Sequence, residues 1–185
     1  MVSEPKLAPA PAKSTLLQML LDASAVRFGD FTLASGEKSD VYVDVKRAWT
    51  DPHRLDLLAQ ALAARVGTTD RLAGMELGAV PLVVATALRT GHPYIVLRKA
   101  AKEHGTRQAF EGEIGAGQRI LLIEDVSTTG GSSVRSVEII RAAGGLVDRA
   151  LVVIDREAGA RDRLSAIGVR LEPLATLGEL RRARP

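Results

Sequence analysis

The spacing of hydrophobic and polar positions changes along this chain, and the changes mark out its elements. Leu16, Leu17, Leu20 and Leu21 recur at helical spacing behind Ser14 and Thr15, either of which can cap a helix start. The pattern predicts a first helix running to about Val26. Residues 31–33 and 41–45 have strand character, and the connection Ala34-Ser35-Gly36-Glu37-Lys38-Ser39-Asp40 is rich in turn formers, so a hairpin is expected. Thr50-Asp51-Pro52 starts a second helix, with Leu55, Leu58, Ala59, Leu62 and Val66 on its apolar side and Gly67 as its stop.

Beyond Gly67 the pattern alternates. Short apolar strands are predicted at 71–74, 94–97, 120–123, 150–154 and 169–174. Helices at 81–89 and 132–143 fall between them, Gly144-Gly145 ends the latter, and 177–182 supplies a last helical turn. This order argues for an α/β fold with a parallel sheet covered on both faces. Ligands of such sheets sit beyond the carboxyl ends of the strands. The segments that follow the strands are therefore the ones to read for chemistry.

Composition narrows the reading. The 185 residues suit one domain. Residues 1–13, with Pro5, Pro9 and Pro11, read as a disordered tail ahead of a single domain over 14–185. Their lack of a long apolar stretch argues against a signal peptide. No apolar run approaches the roughly 20 residues of a membrane span. The absence of cysteine excludes disulfides and thiolate metal sites, and it fits a cytoplasmic location. A net charge of +3 is too small to argue for nucleic-acid binding, and 3% aromatic residues make no stacking platform. No nucleic-acid or membrane partner is expected.

The run Ile120-Leu121-Leu122-Ile123-Glu124-Asp125-Val126-Ser127-Thr128-Thr129-Gly130-Gly131-Ser132 carries the strongest chemical signal. An apolar strand delivers two carboxylates, and a Ser/Thr/Gly loop leads into a helix. Gly130 and Gly131 let backbone approach an anion, and free N–H groups at a helix start favour phosphate. Glu124 and Asp125 suit sugar hydroxyls or a magnesium ion, held directly or through water. A plain strand, turn and helix with solvated acids shares this outline, but the acidic pair set directly against the loop favours a site. No Lys follows the glycines, so this is not a Walker loop. A second segment, Arg98-Lys99-Ala100-Ala101-Lys102-Glu103-His104-Gly105, follows the strand at 94–97. Its cations do not share one face of an ideal strand, but on a loop they can converge on a polyanion. Taken alone, a solvated basic loop describes it equally well.

Together these segments resemble a known family. The run 120–132 resembles the phosphoribosyl pyrophosphate (PRPP) signature of type I phosphoribosyltransferases. Arg98-Lys99-x-x-Lys102-x-His104-Gly105, with Glu111-Gly112 after it, resembles the loop of the orotate phosphoribosyltransferases in particular. Phe31-Thr32-Leu33-x-Ser35-Gly36-x-x-Ser39, ending in Tyr42-x-Asp44, resembles their N-terminal hood, and the likeness spans residues 14–182.

The resemblance implies a type I phosphoribosyltransferase fold: a central, mainly parallel sheet flanked by helices, with a small hood formed mainly by 14–47. It implies transfer of the 5-phosphoribosyl group from PRPP to N1 of orotate, giving orotidine 5′-phosphate and pyrophosphate in pyrimidine (UMP) synthesis. PRPP would be held by Arg98, Lys99, Lys102, His104, Glu124, Asp125, Val126, Ser127, Thr128, Thr129, Gly130, Gly131 and Ser132. Within that set the two acids would take the ribose hydroxyls, and Lys102 and His104 would be the catalytic members. Orotate would meet Tyr42, Val43, Thr128 and Arg156, with Arg156 against its carboxylate. Mg2+ would arrive mainly through PRPP, with Glu124 and Asp125 as candidate direct ligands. A cytoplasmic homodimer, its basic loop reaching the partner's site, is implied as well.

The chain departs from the family twice. Ala34 stands where some members carry a hood Lys, and Leu77-Gly78 stands where some carry Tyr-Lys. Lys38 and Lys46 are the candidate replacements. The alternatives are a purine phosphoribosyltransferase and a non-catalytic PRPP-sensing regulator. The basic loop with Arg156 disfavours the first, and the short stretch before Ser14 leaves no room for the DNA-binding module of the second. His53 and His92 lack partner patterns and read as surface residues, and Trp49 reads as packing.

Overall fold

The computed structural model describes residues 9–32, 36, 38–99 and 109–184. Its first helix, α1 (Lys13–Asp22), starts one residue before Ser14, with Ala12 at the cap and no side-chain cap bond. It ends four residues short of the expected Val26 because Ser24 turns the chain at φ +52. Ala25 and Val26 are buried, and Val26 already pairs with Val43 in a hairpin. That hairpin is antiparallel, built from β1 (Val26–Thr32) and β2 (Lys38–Val43). A four-residue helix, α2 (Lys46–Trp49), follows without a sequence signal, and Trp49 packs against the core as expected. α3 (Pro52–Ala63) begins as expected, its first turn capped by the Asp51 carboxylate accepting from Arg54 N at 3.0 Å.

The body then alternates β3 (Arg71–Met75), α4 (Val80–Thr90) and β4 (Tyr94–Leu97). A two-residue strand, β5 (Phe110–Glu111), precedes β6 (Ile120–Ser127) and α5 (Gly131–Ala142). β7 (Arg149–Asp155), α6 (Ala160–Ser165), β8 (Arg170–Thr176) and α7 (Leu177–Arg182) complete it. The sheet order is β5-β4-β3-β6-β7-β8. Every pairing is parallel except β4 with β5.

The core lies on both faces of this sheet, and β6 shows how. Leu121 and Ile123 join Leu20, Leu58 and Leu82 on one face, while Ile120 and Leu122 join Val137, Ile140 and Leu164 on the other. A buried strand whose side chains alternate between two covered faces reads as a continuous apolar run. Burying each such side chain contributes roughly 1.5–3 kcal/mol. One sequence expectation needs correction here. β6 does not stop at Ile123 but continues through the acidic pair to Ser127. Its backbone stays paired with β7 as far as Ser127 opposite Asp155, so ladder bonds outlast the apolar run.

The hood is fixed to the far end of the chain. Arg181 Nη2 lies 2.7 Å from Asp40 Oδ2, and the Arg184 guanidinium sits 4.5 Å from the Phe28 ring centroid. α7 is held in turn by a capping box between Thr176 and Glu179, and Lys13 Nζ reaches Glu179 Oε2 at 2.7 Å.

Candidate active site

The strand order contains one switch point. From β3 the chain steps to β4 on one side and returns to β6 on the other. The loops after β3 and β6 therefore leave the sheet in opposite directions and open a crevice between them, which is where doubly wound sheets bind ligands.

Asp125 and Gly78 face each other across this crevice. A Cβ on Gly78 would stand 2.1 Å from Asp125 Oδ2. Only glycine allows the loop after β3 to lie so near this carboxylate. Asp125 Oδ1 accepts from Val126 N at 2.8 Å, which fixes its aim, and the side chain remains partly exposed. Glu124 has the opposite setting. The pleat turns it toward α5, where it is 3% exposed. Glu124 Oε1 and the hydroxyls of Ser127, Ser133 and Ser136 are all buried without a hydrogen-bond partner among the described residues. Burial, with the Asp125 charge adding to it, pushes the Glu124 carboxyl up to about 8. The nearby Ser133 and Ser136 hydroxyls and the Lys99 charge pull the other way.

This shift has a sign that can be tested. Below about 4.5 the carboxyl is protonated in both folded and unfolded chains, and between 4.5 and about 8 only the unfolded chain ionises. Stability from this group is complete at the acid end and is lost as pH rises toward about 8. Glu124→Gln removes the loss. Its advantage in unfolding free energy over the parent chain is expected to grow between about pH 5 and pH 8, to at most about 4 kcal/mol. Urea midpoints across that range measure it. A difference that does not vary with pH would show Glu124 to be well hydrated.

The phosphate loop follows β6 directly. Gly130 takes φ +78 at the N-cap of α5, and a Cβ there would come within 3.1 Å of Ala160 Cα. No side chain caps α5, so the N–H groups of its first turn face the loop unblocked. Thr129, Gly131 and Ser132 are exposed around them, and Thr128 is half-buried. Ser127 and Arg156 are brought together, with Arg156 N donating to Ser127 O at 2.9 Å. The sequence-expected Arg156 thus stands beside the start of the loop, at the ends of β6 and β7.

Basic residues border the crevice on the β4 side. Arg98 Nε donates to Glu111 Oε1 at 3.0 Å. Lys99 N donates to Glu76 Oε1 at 3.0 Å, and the Lys99 side chain is exposed. Lys102 and His104 lie outside the described residues. Glu76 belongs to the crevice although no motif points to it. Its only signal is a carboxylate directly after a buried strand at the switch point. In the hood, Tyr42 is exposed and Val43 half-buried. The Arg27 guanidinium lies over the rings of Phe31 and Tyr42, 5.5 and 5.0 Å from their centroids. His53 is exposed and His92 half-buried.

Among the described residues no group of three or more His, Asp or Glu side chains is placed to hold a metal ion. The residues fit a magnesium ion that brings phosphate ligands and keeps its waters, since that needs only one or two protein carboxylates. Asp125 offers such a carboxylate, whereas the buried Glu124 offers a poor one.

Comparison with known proteins supports this geometry. Residues 51–170 match the family described as Phosphoribosyl transferase domain. The chain is 47% identical to an orotate phosphoribosyltransferase of Natronomonas pharaonis over 169 residues, which is 91% of this chain and 97% of that one. The crystal structure of orotate phosphoribosyltransferase from Aeropyrum pernix is similar with a TM-score of 0.80 and 35% identity, covering 90% of this chain and 96% of that one. The Mycobacterium tuberculosis orotate phosphoribosyltransferase, in complex with PRPP, is similar with a TM-score of 0.76 and 30% identity, covering 92% and 99%.

Proposed function

The chain belongs to the orotate phosphoribosyltransferase family, and we propose that PRPP and orotate meet in its β3–β6 crevice. The protein is an enzyme, a pentosyltransferase of pyrimidine synthesis that transfers the phosphoribosyl group of PRPP to orotate. The observation that carries the site assignment is the convergence of Asp125, the loop at Gly78 and the uncapped start of α5 at the switch point.

In this assignment the 5′-phosphate rests on the N–H groups and hydroxyls of residues 127–132. Asp125 accepts from the ribose hydroxyls, and Glu124 backs the loop from below. Tyr42 and Val43 cover orotate from the hood, and Thr128 and Arg156 hold it from the body. Displacement at the sugar C1 carbon by N1 of orotate needs no protein nucleophile. The chain must align two substrates and stabilise charge on the leaving pyrophosphate. Arg98 and Lys99, with Lys102 and His104, provide that charge. Magnesium carried by PRPP supplies further neutralisation of the leaving group.

A homodimer whose basic loop serves the partner's site belongs to the same proposal. Leu77 and Leu88 are apolar side chains left 64% and 82% exposed, on the loop before α4 and on α4. A second copy is a natural cover for them. The cytoplasm is the proposed location, since PRPP and the nucleotide product are phosphorylated metabolites.

The test is orotate absorbance followed in the presence of PRPP and magnesium. Magnesium-dependent loss of orotate, with uracil and hypoxanthine unreactive, is the expected result. A folded protein that binds PRPP but consumes only another base would refute the assignment. Failure to consume any base would leave a PRPP-binding regulator.

A further inference from the structure

We infer that Lys46 supplies to bound PRPP the positive charge that the loop after β3 lacks. The inference deepens the proposed function and rests on it. PRPP is a polyanion, and the β3 loop borders its crevice without a cation. Glu76 is acidic and already accepts from Lys99 N at 3.0 Å, Leu77 is apolar, Gly78 has no side chain, and Ala79 is buried. Backbone alone would have to meet the charge there.

Lys46 stands where that charge can be met. It follows the base of the hood hairpin, where Val26 pairs with Val43. The buried Val45 anchors the chain immediately before it, and Asp44 N donates to Ala25 O at 2.7 Å. Lys46 Nζ lies 3.1 Å from Asp44 Oδ1, and its side chain is half exposed. Its ammonium also lies within the field of the Asp125 carboxylate, the group that faces Gly78. Asp44, Asp125 and Tyr42 all favour its charged form. A cation held between the hood base and the end of β6 is placed to turn from Asp44 to an arriving phosphate. A lysine stem is long enough to make that turn without backbone movement.

The other candidate, Lys38, is placed differently. Thr32 and Lys38 form the last pair before the hairpin turn, and Lys38 Nζ donates to Thr32 Oγ1 at 2.8 Å. Lys38 therefore caps the tip of the hood, at the opposite end of the hairpin from Lys46.

The test compares Lys46→Ala, Lys46→Arg and Lys38→Ala with the parent chain. KM values for both substrates are read from orotate consumption, and PRPP affinity is read by calorimetry without orotate. Lys46→Ala is expected to weaken PRPP binding and raise its KM by about tenfold, with the orotate KM changed less than about twofold. Lys46→Arg should recover most of the loss, and Lys38→Ala should match the parent. Circular dichroism establishes that each variant is folded, and Lys46→Gln replaces the alanine variant if that one is not. Unchanged PRPP affinity, an effect confined to orotate, or an equal loss in Lys38→Ala would overturn the inference. A parent chain that neither binds PRPP nor consumes orotate would overturn the underlying function instead.

Discussion

Replacing Gly78 with alanine is expected to lower orotate turnover by at least about a hundredfold while leaving the fold intact. The added Cβ would meet Asp125 Oδ2 at 2.1 Å and Asp125 Cγ at 2.6 Å. Those distances are far inside van der Waals contact, so one group has to move. The β3 loop is constrained by Ala79 N bonding back to Met75 O and by Val83 N bonding to Ala79 O. The Asp125 side chain is the softer element. Swinging it away breaks its bond from Val126 N and takes the carboxylate off the ribose position. A misplacement of about 1 Å at a reacting geometry can cost a factor of about a hundred. The displaced atoms are the end of a partly exposed side chain, so little core packing is lost. Steady-state kinetics with a thermal melt measures both halves of the expectation. A variant within about threefold of the parent would mean that Asp125 does not hold the sugar.

The second large effect concerns Lys102. Its role follows from the run Arg98-Lys99-x-x-Lys102-x-His104 and from the chemistry of the leaving group. Pyrophosphate gains charge as its bond to the sugar breaks. A cation that tightens onto it only then lowers the barrier without tightening ground-state binding. Removing one such donor typically costs about 10²–10³ in turnover. Lys102→Ala is accordingly expected to lose turnover on that scale, with the PRPP dissociation constant changed by no more than about threefold. Single-turnover rates paired with calorimetry separate the two terms. Equal losses in both would assign Lys102 to ground-state binding alone.

Much of the architecture is written in hydrophobic periodicity. The span 94–97 is β4 and 177–182 is α7 with the expected bounds, and Asp51-Pro52 starts α3 where the cap chemistry says it should. The elements without a signal are α2, β5 and α6, of four, two and six residues, which are too short to show a period. β6 is longer than its apolar run because backbone pairing with β7 does not depend on side-chain polarity. The candidate site was legible as a set of residues but not as a geometry. Glu124 and Asp125 look like equivalent carboxylates in sequence. Side chains of adjacent strand residues point to opposite faces, and here that separates a buried acid from one at the crevice. Counting from Ile120 and Leu122 would have given the parity. No such count reveals that Gly78 confronts Asp125, because that contact joins two loops through the order of strands in the sheet.

The tie between the two ends of the domain has a consequence of its own. Lys13 at the start of α1 meets Glu179 on α7, and the same helix grips the hood through Arg181 and Asp40. The first and last helices are thus spatial neighbours, and the ring of elements is nearly closed. Where such a chain begins is a matter of where the ring is cut. A short linker joining α7 to α1 would permit new ends to be opened at a surface turn such as the one around Gly168, with every strand neighbour retained.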